Sequence, residues 1–190
     1  RIQSVDAFHS FFPMEVIASD AERARFMQPA AGGWMLVPEH RDYPIRMRHF
    51  LPKHWTDRPS SFVFESRVLR DEYFTFQIAV VAGAAPLANV HVAFERFPEA
   101  WQKALTCFNS GGVDETGRAF EKTISVEAGA VQTLWIGVPV PKDQRPGTVE
   151  GDVVVSATGA ARQTVRVRLT VDQAAATNHG FDEPELMSRL

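Results

Sequence analysis

Val131-Gln132-Thr133-Leu134-Trp135-Ile136-Gly137-Val138-Pro139-Val140-Pro141 leads into Pro146-Gly147, then Val153 to Ser156, a break at Thr158-Gly159, and finally Val165, Val167, Leu169 and Val171. This stretch decides the fold. In its last part every second residue is apolar while Arg166, Arg168 and Thr170 fill the alternate places, so one face is buried and the other wet. Strand, turn, strand, turn, strand at this spacing is the pattern of an antiparallel sandwich. Trp135 lies between Leu134 and Ile136 and is expected to point inward, so that its loss would leave a large core cavity.

The same signals extend upstream to Ser61. Phe62-Val63-Phe64 to Leu69 and Tyr73 to Ala82 read as two strands split by the charged turn Arg70-Asp71-Glu72. Leu87 to Phe94 makes a third, Pro98 to Leu105 suits a helical turn, and strand signals return at Phe120 to Val126. Seven or eight strands at this spacing predict an all-β fold, a two-layer antiparallel β-sandwich of immunoglobulin-like type, over residues 56–173.

Residues 1–55 have a different texture. They hold Pro13, Pro29, Pro38, Pro44 and Pro52 between short apolar bursts, and read as an irregular lead-in. Ser19 with Glu22 three residues on predicts a capping box and a short helix to about Met27. Trp34 to Val37 and Ile45 to Met47 are candidate short strands bounded by Pro38 and Pro44. The lead-in is too apolar, with Phe11, Phe12, Met14, Val16, Ile17, Trp34, Met35 and Leu36, to stay solvated. It should pack on the sandwich or on a neighbouring domain. Residues 174–190 lose the alternation and turn polar, as a linker does.

Composition narrows the function. The 190 residues carry 20 basic and 23 acidic side chains, a formal charge of -3 with the signs interspersed, which gives no attraction for a phosphate backbone. No apolar run approaches the ~20 residues of a membrane helix. Neither a nucleic acid nor a membrane is expected as partner. Cys107 is the only cysteine, and the six histidines form no H-x-H or H-E-x-x-H pattern, so no metal and no cofactor are expected. Cys107 follows Thr106 without a nucleophile motif and reads as a buried structural thiol.

Acids and aromatics leave alternatives open. Two carboxylates roughly 5 to 9 Å apart suffice for glycoside hydrolysis, and Glu15, Glu39, Asp42, Asp114 and Glu115 are candidates. Pairing with Arg41, Arg46 or Arg48 would make Glu15 and Glu39 structural instead. The loop Cys107-Phe108-Asn109-Ser110-Gly111-Gly112-Val113-Asp114 is either a tight turn at the sandwich rim or a docking surface, with Asn109 and Asp114 able to cap it or to meet hydroxyls. Trp34, Trp55 and Trp101 stand beside breaks in the pattern and are candidate exposed rings for stacking on a sugar.

Several stretches taken together carry a resemblance. Phe12-Pro13-Met14-Glu15-Val16-Ile17-Ala18, Pro38-Glu39-His40-Arg41-Asp42-Tyr43-Pro44-Ile45-Arg46-Met47, Asp71 to Gln77, Thr106 to Asp114 and Leu186-Met187-Ser188-Arg189-Leu190 resemble the N-terminal region of large glycoside-hydrolase-like proteins. These are related in organisation to family-123 glycoside hydrolases, the β-N-acetylgalactosaminidase type. The resemblance implies a sandwich ahead of a (β/α)-barrel, with the catalytic acids on the barrel and none carried over to this chain. It implies a non-catalytic accessory domain that braces the barrel and lines its carbohydrate cleft, in a secreted or periplasmic protein. Glu15, Glu39, Arg41, Arg46, Asn109 and Asp114 are then the candidate interface or carbohydrate contacts, and the barrel and a carbohydrate are the expected partners. A stand-alone carbohydrate-binding or adhesion module is the alternative, and a small enzyme in its own right a third reading.

Overall fold

The computed structural model of the chain describes residues 12–58 and 61–182; Phe11, the Leu186-to-Leu190 motif and the last eight residues of the expected linker lie outside them. Eleven strands are described: β1 (Trp34–His40), β2 (Val63–Arg70), β3 (Tyr73–Ala82), β4 (Leu87–Glu95), β5 (Thr106–Cys107), β6 (Gly111–Val113), β7 (Ala119–Glu121), β8 (Ile124–Val126), β9 (Val131–Pro139), β10 (Gly147–Ala157) and β11 (Ala160–Ala175). They form one sheet of order β1-β3-β9-β5, a second of order β2-β11-β10-β4-β8, and the separate hairpin β6-β7. Among the described residues, no helix is long and apolar enough to cross a membrane.

The two larger sheets face each other across a core built from alternate residues. Val165, Val167, Leu169 and Val171 of β11 meet Phe74, Phe76, Ile78 and Val80 of β3 in one buried cluster, as the alternation predicts. Phe64 and Phe76 stack there with ring centres 4.3 Å apart. The all-β, two-layer sandwich is therefore what the structure shows, with one departure: β2 pairs with β11 in parallel, whereas the other strand pairings are antiparallel.

The segment read as lead-in divides into two parts. Trp34–His40 belongs to the sandwich itself, as the edge strand beside β3. An edge tolerates the missing N–H of Pro38, so the strand continues through the proline instead of stopping there. Ile45 to Met47, by contrast, is not a strand. Its backbone is satisfied by side chains: Ile45 N–H donates to Gln77 Oε1 (2.8 Å) and Ile45 O accepts from Thr133 Oγ1 (3.2 Å). The rest of the segment folds over the outer face of the first sheet, where Met14, Phe26, Ile45, Leu51 and Trp55 form a second apolar cluster with Met35, Val37, Ala79, Val81 and Val131. That cover explains why β3 is buried on both faces beyond Tyr73 and runs Ile78-Ala79-Val80-Val81-Ala82 without a polar break.

Capping and charge hold the cover in place. α1 (Asp20–Met27) carries the expected box, with Ser19 N–H donating to Glu22 Oε2 (2.8 Å) and Glu22 N–H to Ser19 Oγ (3.3 Å). Glu22 also pairs with Lys53 at the start of α2 (Lys53–Thr56). The Lys53 ammonium first, and then the Ser19 N–H, bring the Glu22 carboxyl from 4.5 down to about 2. A depressed carboxyl favours the folded state above its unfolded value, and that contribution fades as pH falls from about 4.5 through about 2. Carbon NMR titration should place the Glu22 midpoint near 2. Lys53→Gln should move it up toward the ordinary glutamate range; an unmoved midpoint would refute the pairing.

Candidate functional site

The carboxylates singled out in the lead-in are held by donors. Glu39 is 3% exposed and lies on the outer face of β1, opposite Gln77. Its carboxylate accepts from Trp55 Nε1 (2.8 Å), from Arg58 and from the His40 N–H (3.0 Å). Three donors converging on a buried carboxylate make a clamp that ties α2 to the sheet. Glu15 meets Arg46 at 3.3 Å on the surface, as the structural alternative anticipates. Arg41 is not the partner of either: it forms a buried ion pair with Glu72 (2.9 Å) and its guanidinium lies 5.0 Å above the Phe74 ring. Glu72 is the residue that spacing does not reveal, since it stands 31 positions away and also accepts from the Leu69 N–H.

The other two candidate positions organise the loop instead of presenting it. Asn109 Oδ1 accepts from the Trp135 N–H (2.6 Å), which pins the loop to β9. Asp114 takes donors from Thr116 and Arg118 in its own turn, and the Arg118 N–H, followed by the Thr116 hydroxyl, holds its carboxyl below the usual range. Gly111-Gly112-Val113 becomes β6 and pairs with β7, so the single strand expected from Phe120 to Val126 is two short ones. The six candidate residues thus do not converge on one site.

The tryptophans reverse their expected roles. Trp34, Trp55 and Trp101 are all buried, and Trp101 Nε1 donates to Gln144 Oε1 (3.0 Å). Trp135 is half-buried, because Leu134, Ile136 and Val138 take the inward positions of β9 and a one-residue shift puts the ring on the other face. The sugar-stacking platform of Trp34, Trp55 and Trp101 is therefore absent.

What the sequence points to only through one loop is an aromatic groove of about 660 Å³ at the sandwich edge. Its mouth is ringed by Tyr73, Phe108, Phe120 and Val113, the last 65% exposed, and its floor is Leu105, Cys107, Val92 and Phe94. It exists because both sheets end early there: β5 covers only Ile136 and Gly137 of β9, and β8 covers β4 only from Leu87 to Val90. Gly137 seats the walls, since a Cβ at that position would lie 2.6 Å from the Tyr73 hydroxyl and 2.7 Å from the Phe108 ring. Burial pushes the Cys107 thiol up, so it meets the groove as a thiol and not as a thiolate nucleophile. Among the described residues, no group of three or more His, Cys, Asp or Glu side chains is arranged to hold a metal.

Comparison with known proteins bears on the fold. No family model and no curated protein matches the chain. Among solved structures, a family 123 glycoside hydrolase from Clostridium perfringens superposes with a TM-score of 0.54 at 14% identity, over 76% of this chain and 28% of that one. The likeness is one of fold. It is a distant structural relationship, and this chain corresponds to a minor part of that enzyme. A GH5 xyloglucanase from Bacteroides ovatus (TM-score 0.33, 17% identity, 61% of this chain and 18% of that one) and a Porphyromonas gingivalis protein (0.36, 18%, 59% and 46%) are more remote and carry no argument.

Proposed function

We propose that this chain is a non-catalytic accessory β-sandwich of a glycoside hydrolase, bracing a (β/α)-barrel in the same polypeptide and lining part of its carbohydrate cleft. The exposed aromatic groove carries the reading, because contiguous apolar surface beside the hairpin β6-β7 marks a contact face. The sandwich shared with part of the Clostridium perfringens family 123 glycoside hydrolase, an enzyme of glycolipid glycan hydrolysis, adds support. Glu15 and Glu39 of the lead-in have structural employment in ion pairs, which suits a domain that leaves chemistry to its neighbour. The stand-alone carbohydrate-binding reading required exposed Trp34, Trp55 or Trp101 and loses its footing with their burial.

The test compares the polypeptide as encoded with residues 1–190 alone, against a panel of aryl glycosides and polysaccharides. Turnover is expected from the former only. Turnover by residues 1–190 that disappears in Glu15→Gln or Glu39→Gln would overturn the accessory role, and an inactive full-length polypeptide would overturn the hydrolase reading.

A further inference from the structure

We infer that the groove between Tyr73, Phe108, Val113 and Phe120 receives an apolar protrusion of the domain that follows in the same polypeptide, an inference that rests on the accessory-domain reading above. The chemistry of the lining selects the occupant. The described residues around the groove include no charged side chain, so a charged ligand would be desolvated there without a partner. Its hydroxyls are already engaged with the protein: Tyr73 Oη lies 3.3 Å from Thr106 Oγ1, and Ser110 Oγ donates to Cys107 O (2.9 Å). A sugar needs fixed polar partners beside its stacking surface, whereas an apolar side chain needs only the floor of Leu105, Cys107 and Phe94. Such a side chain would extend the core into the gap where β5 and β8 stop short.

The path of the chain favours an occupant from the same polypeptide. After β11, Ala176 N–H donates to Arg70 O (2.7 Å), and the turn Thr177–Gly180 is pinned to the β2–β3 turn by His179 Nδ1 and Asp71 Oδ1 at 3.1 Å. Asn178 and His179 both adopt left-handed backbone, φ 48° and 58°, so this turn is held in a conformation that non-glycine residues seldom adopt. Asp71 is two residues from Tyr73, so the turn that follows β11 is held at the start of the strand that carries the Tyr73 wall of the groove. Across the second sheet, by contrast, Glu65, Arg168, Glu150, Arg166, Asp152 and Arg96 form a continuous ion ladder, a surface that an apolar side chain would not enter.

The experiment uses the polypeptide as encoded, with Phe108→Ser and Phe120→Ser combined. Phe108 and Phe120 are 48% and 45% exposed, and circular dichroism of residues 1–190 carrying the pair checks that the sandwich still folds. Release of the sandwich should split thermal unfolding into two transitions and raise the rate of proteolytic cleavage between the domains by about tenfold or more. A single unchanged transition with unchanged cleavage would overturn the inference. So would binding of neutral oligosaccharides to residues 1–190, read as shifts of the Tyr73 and Phe108 ring signals. Glycosidase turnover by the unsubstituted polypeptide is measured in parallel: its absence counts against the hydrolase reading, while turnover without any docking effect counts against this inference alone.

Discussion

Trp55→Ala should destabilise the chain by about 3 to 5 kcal/mol in urea denaturation, the range for removing a fully buried large aromatic. Trp55 is 1% exposed, stacks beside Phe26 and donates its indole N–H to Glu39. Its loss leaves a cavity and removes one of the three donors of a carboxylate that water hardly reaches. Trp135→Ala is the control. That ring is half-buried on the outer side of β9, and the bond from its backbone N–H to Asn109 survives the substitution, so the cost should be about 1 kcal/mol. Equal costs for the two, at an unchanged denaturant slope, would contradict the placement of the lead-in as a second core.

Arg41→Met should cost about as much, roughly 3 to 5 kcal/mol, for an electrostatic reason. Arg41 and Glu72 are 4% and 2% exposed, and removing the cation strands a carboxylate in the interior with, among the described residues, only the Leu69 N–H to face it. Adding Glu72→Gln to Arg41→Met removes the stranded charge while keeping an oxygen for Leu69, so the double variant should regain much of the loss. A double-mutant cycle reads this coupling directly. If Arg41→Met alone costs under about 1 kcal/mol, the pair does not hold the β2–β3 turn as described.

Which features were legible in the sequence follows from how local their causes are. The capping box at Ser19 and Glu22, the turn at Asp71 and the alternation of β11 are set by residues within a few positions of each other. The facing of Trp135 is not legible, because Leu134-Trp135-Ile136 is apolar throughout and a run without polar punctuation does not say which residue faces in. Trp34 and Trp55 sit beside Gly33 and Pro52, breaks that normally mean surface, and only the folding of the lead-in over the sheet buries the second of them. Glu39 with Arg58 and Arg41 with Glu72 are separated by 19 and 31 residues, so no periodicity announces them. The groove collects β3, β4, β5, β6 and β7, and only its Cys107-to-Val113 rim is contiguous enough in sequence to be conspicuous there.

The parallel pairing of β2 with β11 sets an order of events during synthesis. β11 lies between β2 and β10 in the second sheet, so the first strand of that sheet waits for the last before it has a neighbour. Val63 meets Arg166, a contact between residues about a hundred positions apart, and closing so long a loop is entropically costly before any packing rewards it. Such topologies fold on the slow side of the single-domain range. Until residue 171 has emerged, Phe62, Val63 and Phe64 remain on an open strand edge, which makes the nascent chain more exposed to aggregation than the finished sandwich and gives a holding chaperone a defined stretch to protect.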